Sequence, residues 1–204
     1  MQIKGFSFKN KAILFDNTDF YFEDCHLNFI LGEIGVGKST ILDFIADVDN
    51  NRSQRFIGFP NKDQIAYLSQ KSYFCEELLG KDIIGFTQQL NNVRKFRMPE
   101  SIRQLQDITF GEMSLAQKRR LLVFINTIVE KELYLFDEPE NGIDLQHSQE
   151  IFEWFRELIE LDKTVIITTH KLDNIQDTDN VNYIKNTQEI LADSYLKIKS
   201  RMAF

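Results

Sequence analysis

Only two cysteines occur among the 204 residues, Cys25 and Cys75, and no metal-like spacing relates them. That usage disfavours a disulfide framework and points to two buried or half-buried thiols in a reducing compartment. The opening residues, MQIKGFSFKNK, lack the apolar core of a secretory signal. No apolar run approaches the roughly 18–20 residues that span a bilayer. A soluble, cytoplasmic chain is expected, able to dock on a membrane partner. Positive charge is not in excess either: 24 Lys and Arg stand against 31 Asp and Glu, a net charge of −7. This argues against a broad nucleic-acid footprint, which relies on clustered cations, although a local strip such as KRR at 118–120 remains open to that use. There is no internal repeat and no low-complexity segment.

What remains is the composition of one globular domain. Hydrophobic residues make up 43% of the chain, enough for a substantial core, and the 18 phenylalanines read as core filling. The first segments, IKGFSF, AILF, FYFED and HLNFIL, read as strands broken by tight turns at NKN and DNTD. STILDFIADV then places Ile41, Leu42, Ile45 and Val48 on one helical face. IAYLSQ (65–70) reads as a short strand. From Lys71 to about Met113 the character changes: ELLGKDIIGFTQQLNNV and ESIRQLQDI have helical spacing, separated by the break at FRMPE. A helix over 115–130, a buried strand LYLFD, a helix over 148–161 and the strand TVIITT follow. NYIKN and EIL form a closing hairpin, and the polar tail carries no clear pattern. Strands alternating with helices predict an α/β fold with a mostly parallel central sheet, an N-terminal antiparallel β part and an inserted helical subdomain. The expected layout is one domain over 1–204, with its core at 1–70 and 125–204 and the helical subdomain at 71–124.

The strongest local signal is GEIGVGKST, comprising Gly32, Glu33, Ile34, Gly35, Val36, Gly37, Lys38, Ser39 and Thr40. It satisfies the P-loop pattern, with a strand before it and a helix after it. Such a loop turns its backbone N–H groups around phosphate oxygens at a helix N-terminus. Lys38 is expected to reach the β- and γ-phosphates of a nucleoside triphosphate, and Ser39 to ligate Mg²⁺. LYLFDEP (133–139) ends an apolar strand in Asp137, which is placed to reach the same metal. Glu138, one residue further on, can polarise the water facing the γ-phosphate. NKDQ (61–64) resembles a guanine-reading motif but lies too close to the P-loop and lacks a preceding strand, so it is read as a turn.

In this order the motifs resemble those of ABC-type ATPases over nearly the whole chain. The resemblance implies further roles. Gln70 is similar to the glutamine that joins core to helical subdomain and senses Mg²⁺ and the attacking water. NGID (141–144) resembles the D-loop, with Asp144 matching its aspartate. His170 matches the switch histidine that contacts the γ-phosphate and supports Glu138. Phe8 sits where the family places an adenine-stacking aromatic. In this family two domains pair head-to-tail, each ATP lying between one P-loop and the other subunit's signature, LSGGQ. Here that signature reads MSLAQ (113–117): Ser114 and Gln117 are kept and both glycines are replaced. Ser-x-x-Gln before an apolar run is also a capping box. Two readings stay open, a working contact to the partner's γ-phosphate weakened by the bulk of Leu115, and a degenerate site.

The resemblance implies an ATP-binding, ATP-hydrolysing subunit that powers a transporter. Its transmembrane domains would lie on separate chains, and it would sit peripherally on the cytoplasmic face of the membrane. The implied partners are a second ATPase subunit, identical or not, and integral membrane permease subunits, with Tyr73 and Phe74 as candidate contacts. The alternatives are a soluble ATPase acting in DNA repair or on the ribosome, and a poorly hydrolysing regulatory module. Long coiled coils or tandem ATPase domains would mark the first of these and are missing here. Turnover would exclude the second.

Overall fold

The computed structural model describes residues 1–49 and 52–202. A six-stranded sheet forms the centre, in the order β5-β6-β7-β3-β8-β9. Its members are β3 (Leu27–Leu31), β5 (Ile65–Leu68), β6 (Leu133–Asp137), β7 (Thr164–Thr169), β8 (Asn180–Ile184) and β9 (Ile190–Ser194). All neighbours run parallel except the edge hairpin β8–β9. The middle strands LNFIL, LYLFD and TVIITT are buried throughout, as strands covered on both faces require. A small antiparallel sheet, β2-β1-β4, comprises β1 (Gln2–Lys9), β2 (Ile13–Tyr21) and β4 (Phe56–Ile57). The expected combination of parallel sheet, antiparallel N-terminal part and helices is therefore present.

Several boundaries differ from expectation. Most of AILF and the first two residues of FYFED belong to one nine-residue strand, β2, that runs straight through DNTD. Asn17 takes a left-handed φ of 56° there, opposite Gly5 at 58°, and its N–H donates to the Ser7 hydroxyl at 2.9 Å. The polar cluster makes bulges with register shifts, not a turn. IAYLSQ is strand only to Leu68, leaving Gln70 beyond it. Helix α1 (Lys38–Ile45) stops short of Val48, which is 48% exposed, because Asp47 turns left-handed at φ 55°. ESIRQLQDI yields only the short α3 (Glu100–Arg103). After it the chain turns back to pair with the start of α2 (Gly80–Asn91): Gly80 N–H donates to Ile108 O and Lys81 N–H to Gln106 O. Helices α4 (Leu115–Thr127) and α5 (Leu145–Glu160) agree with expectation to within a few residues. Both cysteines are free and exposed rather than buried. NKDQ forms a single 3-10 turn. The tail ends in α6 (Tyr195–Ile198), whose Ile198 is fully buried.

Two cores flank the central sheet. One packs Phe29, Phe136, Phe152 and Phe155 with residues of α2, α4 and α5. The other is a phenylalanine cluster between the small sheet, α1 and the opposite sheet face. Among the described residues every phenylalanine except the exposed Phe86 belongs to one of these cores or packs against it, in line with the composition. Between the sheets lies a buried amide network. Asn182 Oδ1 accepts from Tyr21 N–H at 2.9 Å, while Asn182 and Asn180 both donate to Tyr21 O. Asn180 also donates to Asn28 Oδ1 at 2.7 Å, and Asn28 serves the backbone of Glu23, His26 and Val165. Side-chain amides here satisfy main-chain groups that no strand partner reaches.

Candidate functional site

The phosphate loop leaves β3 at the point where the sheet order switches, with β7 on one side and β8 on the other. In open α/β sheets such a crevice beyond the strand carboxyl ends is where ligands bind. The last loop residue, Gly37, caps α1 with φ 108°. A Cβ there would stand 2.8 Å from the ring of buried Phe15, so both conformation and space demand glycine. Glu33, Ile34, Gly35 and Ser39 are exposed around the crevice; Gly32, Val36 and Thr40 are half-buried. Lys38 is the exception, 5% exposed, its ammonium donating to Gly32 O at 2.9 Å and Glu33 O at 3.0 Å. Burial pulls its pKa down, and the nearby carboxylates of Glu138 and Asp137 push back. Its partners are carbonyls of its own loop, so phosphate oxygens can replace them without moving the side chain far.

Three sequence-predicted residues converge on the carboxylate of a fourth, Glu138. Glu138 Oε2 accepts from Gln70 Nε2 at 3.0 Å, and its Oε1 lies 3.4 Å from His170 Nδ1 and 3.9 Å from Lys38 Nζ. A fifth was not anticipated: Asn141 Nδ2 donates to the same Oε2 at 3.2 Å. Glu138 itself adopts φ 47°, a conformation uncommon for a residue with a side chain. It is held there by N–H bonds to Thr168 O and Oγ1, both 3.1 Å. Asp137, 3% exposed, accepts from the Thr168 hydroxyl through Oδ1 at 2.5 Å.

The segment from Asp137 to Ile143 is clamped through its carbonyls by two cations. Arg119 donates to Asp137 O at 2.9 Å, Glu138 O at 2.8 Å and Pro139 O at 3.3 Å. Lys171 reaches Glu140 O at 3.1 Å and Ile143 O at 3.4 Å. Arg119 and Arg120 are 6% and 8% exposed, with Arg120 paired to Glu150. KRR is therefore no surface strip for nucleic acid but mainly an interior brace. The only sequence cue to these braces was the oddity of two arginines on an apolar helix.

Glu140 is 2% exposed; the Thr169 hydroxyl donates to its Oε1, and Oε2 has no partner. Burial raises its pKa, opposed by the Thr169 bond, its own backbone and Lys171. The folded state therefore holds this proton more tightly than the unfolded chain does. Its contribution to stability is fully present below the ordinary glutamate range and is lost as pH rises above it. Glu140→Gln should flatten that fall. Against the parent, its Tm should be higher at about pH 8, by a shift of roughly 2–4 °C per kcal/mol, with the gap closing toward about pH 5. Parallel Tm–pH curves would reject the assignment.

The signature stretch lies at the start of α4. Ser114 Oγ accepts from Gln117 N–H at 3.2 Å and Gln117 Oε1 from Ser114 N–H at 2.8 Å, completing the capping box. Asp144 caps α5, accepting from His147 N–H at 3.0 Å and facing His147 Nδ1 at 2.6 Å; these bonds hold its pKa down. Both residues are turned toward their own helices, apart from the cluster around Glu138. Phe8 is half-buried, 6.5 Å from Phe6 and edge-on to Phe44 at 5.2 Å, so core packing accounts for much of it. Among the described residues no helix is long and apolar enough to cross a membrane, and none form a three-residue His, Cys, Asp or Glu metal cluster.

Residues 15–141 match the model of a family described as ABC transporter. AlbC of Bacillus subtilis (strain 168), whose name marks it as an ABC transporter ATP-binding protein, is 22% identical over 83% of this chain and 80% of its own length. The cytochrome c biogenesis ATP-binding export protein CcmA of Reclinomonas americana is 27% identical over 67% of this chain and 68% of its own. Two further relatives are longer, and the chain spans 37% and 38% of them. Among solved structures, a bacterial ABC transporter cassette determined as a dimer superposes with a TM-score of 0.74 at 16% identity, over 95% of this chain and 97% of that one.

Proposed function

From its membership of the ABC transporter family, to which the chain belongs by a match over more than half its length, we propose that this domain binds and hydrolyses ATP to drive a membrane transporter. The carrying observation is the setting of Glu138, with four polar side chains gathered on its carboxylate beside the phosphate loop. A carboxylate so held can orient a water in line with a γ-phosphate and take its proton. Lys38 and the loop N–H groups receive the phosphates, His170 supports the developing charge, and Phe8 offers a face to the adenine. Ser39 and Asp137, with Gln70 nearby, form a hard oxygen donor set suited to Mg²⁺, which prefers few protein ligands completed by phosphate and water. When bound, that ion would neutralise charge developing on the phosphate oxygens.

A second ATPase domain completes the site. Ser114 and Gln117 at the α4 N-terminus face the partner's γ-phosphate, and Asp144 meets the partner's phosphate loop. In this reading residues 71–124 act as the helical subdomain that passes dimer closure to membrane-spanning partners on separate chains, with Tyr73 and Phe74 at the contact. The nucleic-acid and regulatory alternatives lose ground to the transporter relatives and to the interior placement of KRR. Purification of the tagged chain from native membranes is the deciding experiment. Recovery of a polytopic membrane protein in roughly stoichiometric amount is expected. Recovery from soluble fractions alone, with ribosomes or nucleic acid, would overturn the transporter assignment.

A further inference from the structure

Leu115 is the first residue of α4 and its side chain is 62% exposed, yet it does not project freely from the helix end. It lies on Gly142, which adopts φ 76° in the turn after Glu138. A Cβ on Gly142 would stand 2.4 Å from Leu115 Cδ2 and 3.4 Å from Cγ, far inside contact distance. The leucine therefore occupies the space that a side chain at 142 would need. The two residues share one cleft of about 510 Å³ with Gln70, Asn141 and Arg119. Asn141, immediately before the glycine, donates to Glu138 Oε2. A shift of the turn at 142 thus moves a ligand of the Glu138 carboxylate.

We propose that Leu115 and Gly142 form a knob-and-slot contact that positions Glu138 through Asn141, so that the signature helix and the D-loop of one chain move as a unit. The inference rests on Glu138 being the group that orients the attacking water. Most of the Leu115 surface stays in solvent, so the contact acts as a stop and not as a source of burial energy. On one side the Asp137–Ile143 segment is fixed by Arg119 and Lys171; on the other, Leu115 sets how far the turn can approach α4. The bulk at position 115 is then received by the chain's own D-loop and need not be directed at the partner's phosphate.

A double-mutant cycle separates this contact from backbone strain, because alanine at φ 76° is strained whether or not Leu115 is present. Gly142→Ala should lower kcat about tenfold, within the coupling range of contacting residues. Binding of a fluorescent ATP analogue should stay unchanged, because the phosphate loop is untouched. Leu115→Ala should keep kcat to within about threefold, and the double variant should recover most of the way to the Leu115→Ala level, the remainder being the strain of alanine at φ 76°. A double variant as slow as Gly142→Ala alone would attribute the loss to strain and overturn the proposal, as would a fully active Gly142→Ala. Should Gly142→Ala fail to fold by Tm, Leu115→Phe, which enlarges the knob, serves instead: a kcat loss is expected, and parental kcat overturns the contact. Glu138→Gln run alongside keeps the two readings distinct. If that variant turns over normally, the role of Glu138 fails; if it is inactive and the cycle is additive, only the contact fails.

Discussion

Glu138→Gln is expected to lower ATP turnover by at least about 100-fold, the low end of what a positioned general base contributes, while ATP still binds. The substitution removes the basic oxygen and also inverts part of the local bonding. Gln70, Asn141 and Lys38 are all donors toward the Glu138 carboxylate. An amide can offer its oxygen to Gln70 and Asn141 only by turning its NH₂ toward Lys38 and His170. A neutral His170 can accept there; Lys38 cannot, and returns to the Gly32 and Glu33 carbonyls that already hold it. Phosphate binding is thus spared and the chemical step is not. With ATP present the variant should accumulate as a dimer in size-exclusion chromatography and revert on nucleotide removal. Parental turnover would eliminate Glu138 as the base.

Arg119→Met should cost about 3–5 kcal/mol in denaturant unfolding, the scale for removing one side of a buried charged assembly, and should also abolish hydrolysis. The guanidinium serves three successive carbonyls, those of Asp137, Glu138 and Pro139. Burial pulls its pKa down, and the carboxylates of Asp137, Glu140 and Glu138 compensate in that order. Methionine fills the volume but takes the guanidinium from all three carbonyls, leaving Glu138 O with Asn141 N–H, and removes a buried cation whose charge the three carboxylates feel. The left-handed Glu138 then loses one of the supports that make its conformation tolerable. Arg119→Lys should restore little, because an ammonium cannot span the fork that reaches all three oxygens. A stability loss below about 1 kcal/mol would mean that the brace is dispensable.

The residues assigned to nucleotide chemistry were legible because their spacing is itself chemical. A glycine loop between strand and helix, a strand ending in two acids and a strand ending in histidine each imply a position at the carboxyl edge of a parallel sheet. Gln70, Glu138, His170 and Lys38 meet as that logic requires. What was not legible acts through the backbone or across the fold. Arg119 and Lys171 bind carbonyls, which every residue possesses, so no side-chain pattern announces them. Asn141 enters the sequence reading only as a member of NGID, and its bond to Glu138 follows from the turn that precedes Gly142. DNTD looked like a turn because polar clusters usually are; the partner strand, bulged at Gly5 beside Ser7, absorbs the irregularity instead. The truncation of α3 follows from pairing with the start of α2, a contact that local spacing cannot express.

The amide network between the sheets has a consequence in time. Tyr21 finds its hydrogen-bond partner in Asn182, 161 residues later in the chain. At roughly 5–20 residues per second of synthesis, Tyr21 waits about ten to thirty seconds before that partner exists. Throughout the interval Phe6 and Phe20, both buried in the finished domain, are carried by a strand pair without its support. Strands β1 and β2 are therefore translated well before the amides that secure Tyr21, and an unpartnered edge of that kind is open to mispairing until β8 arrives.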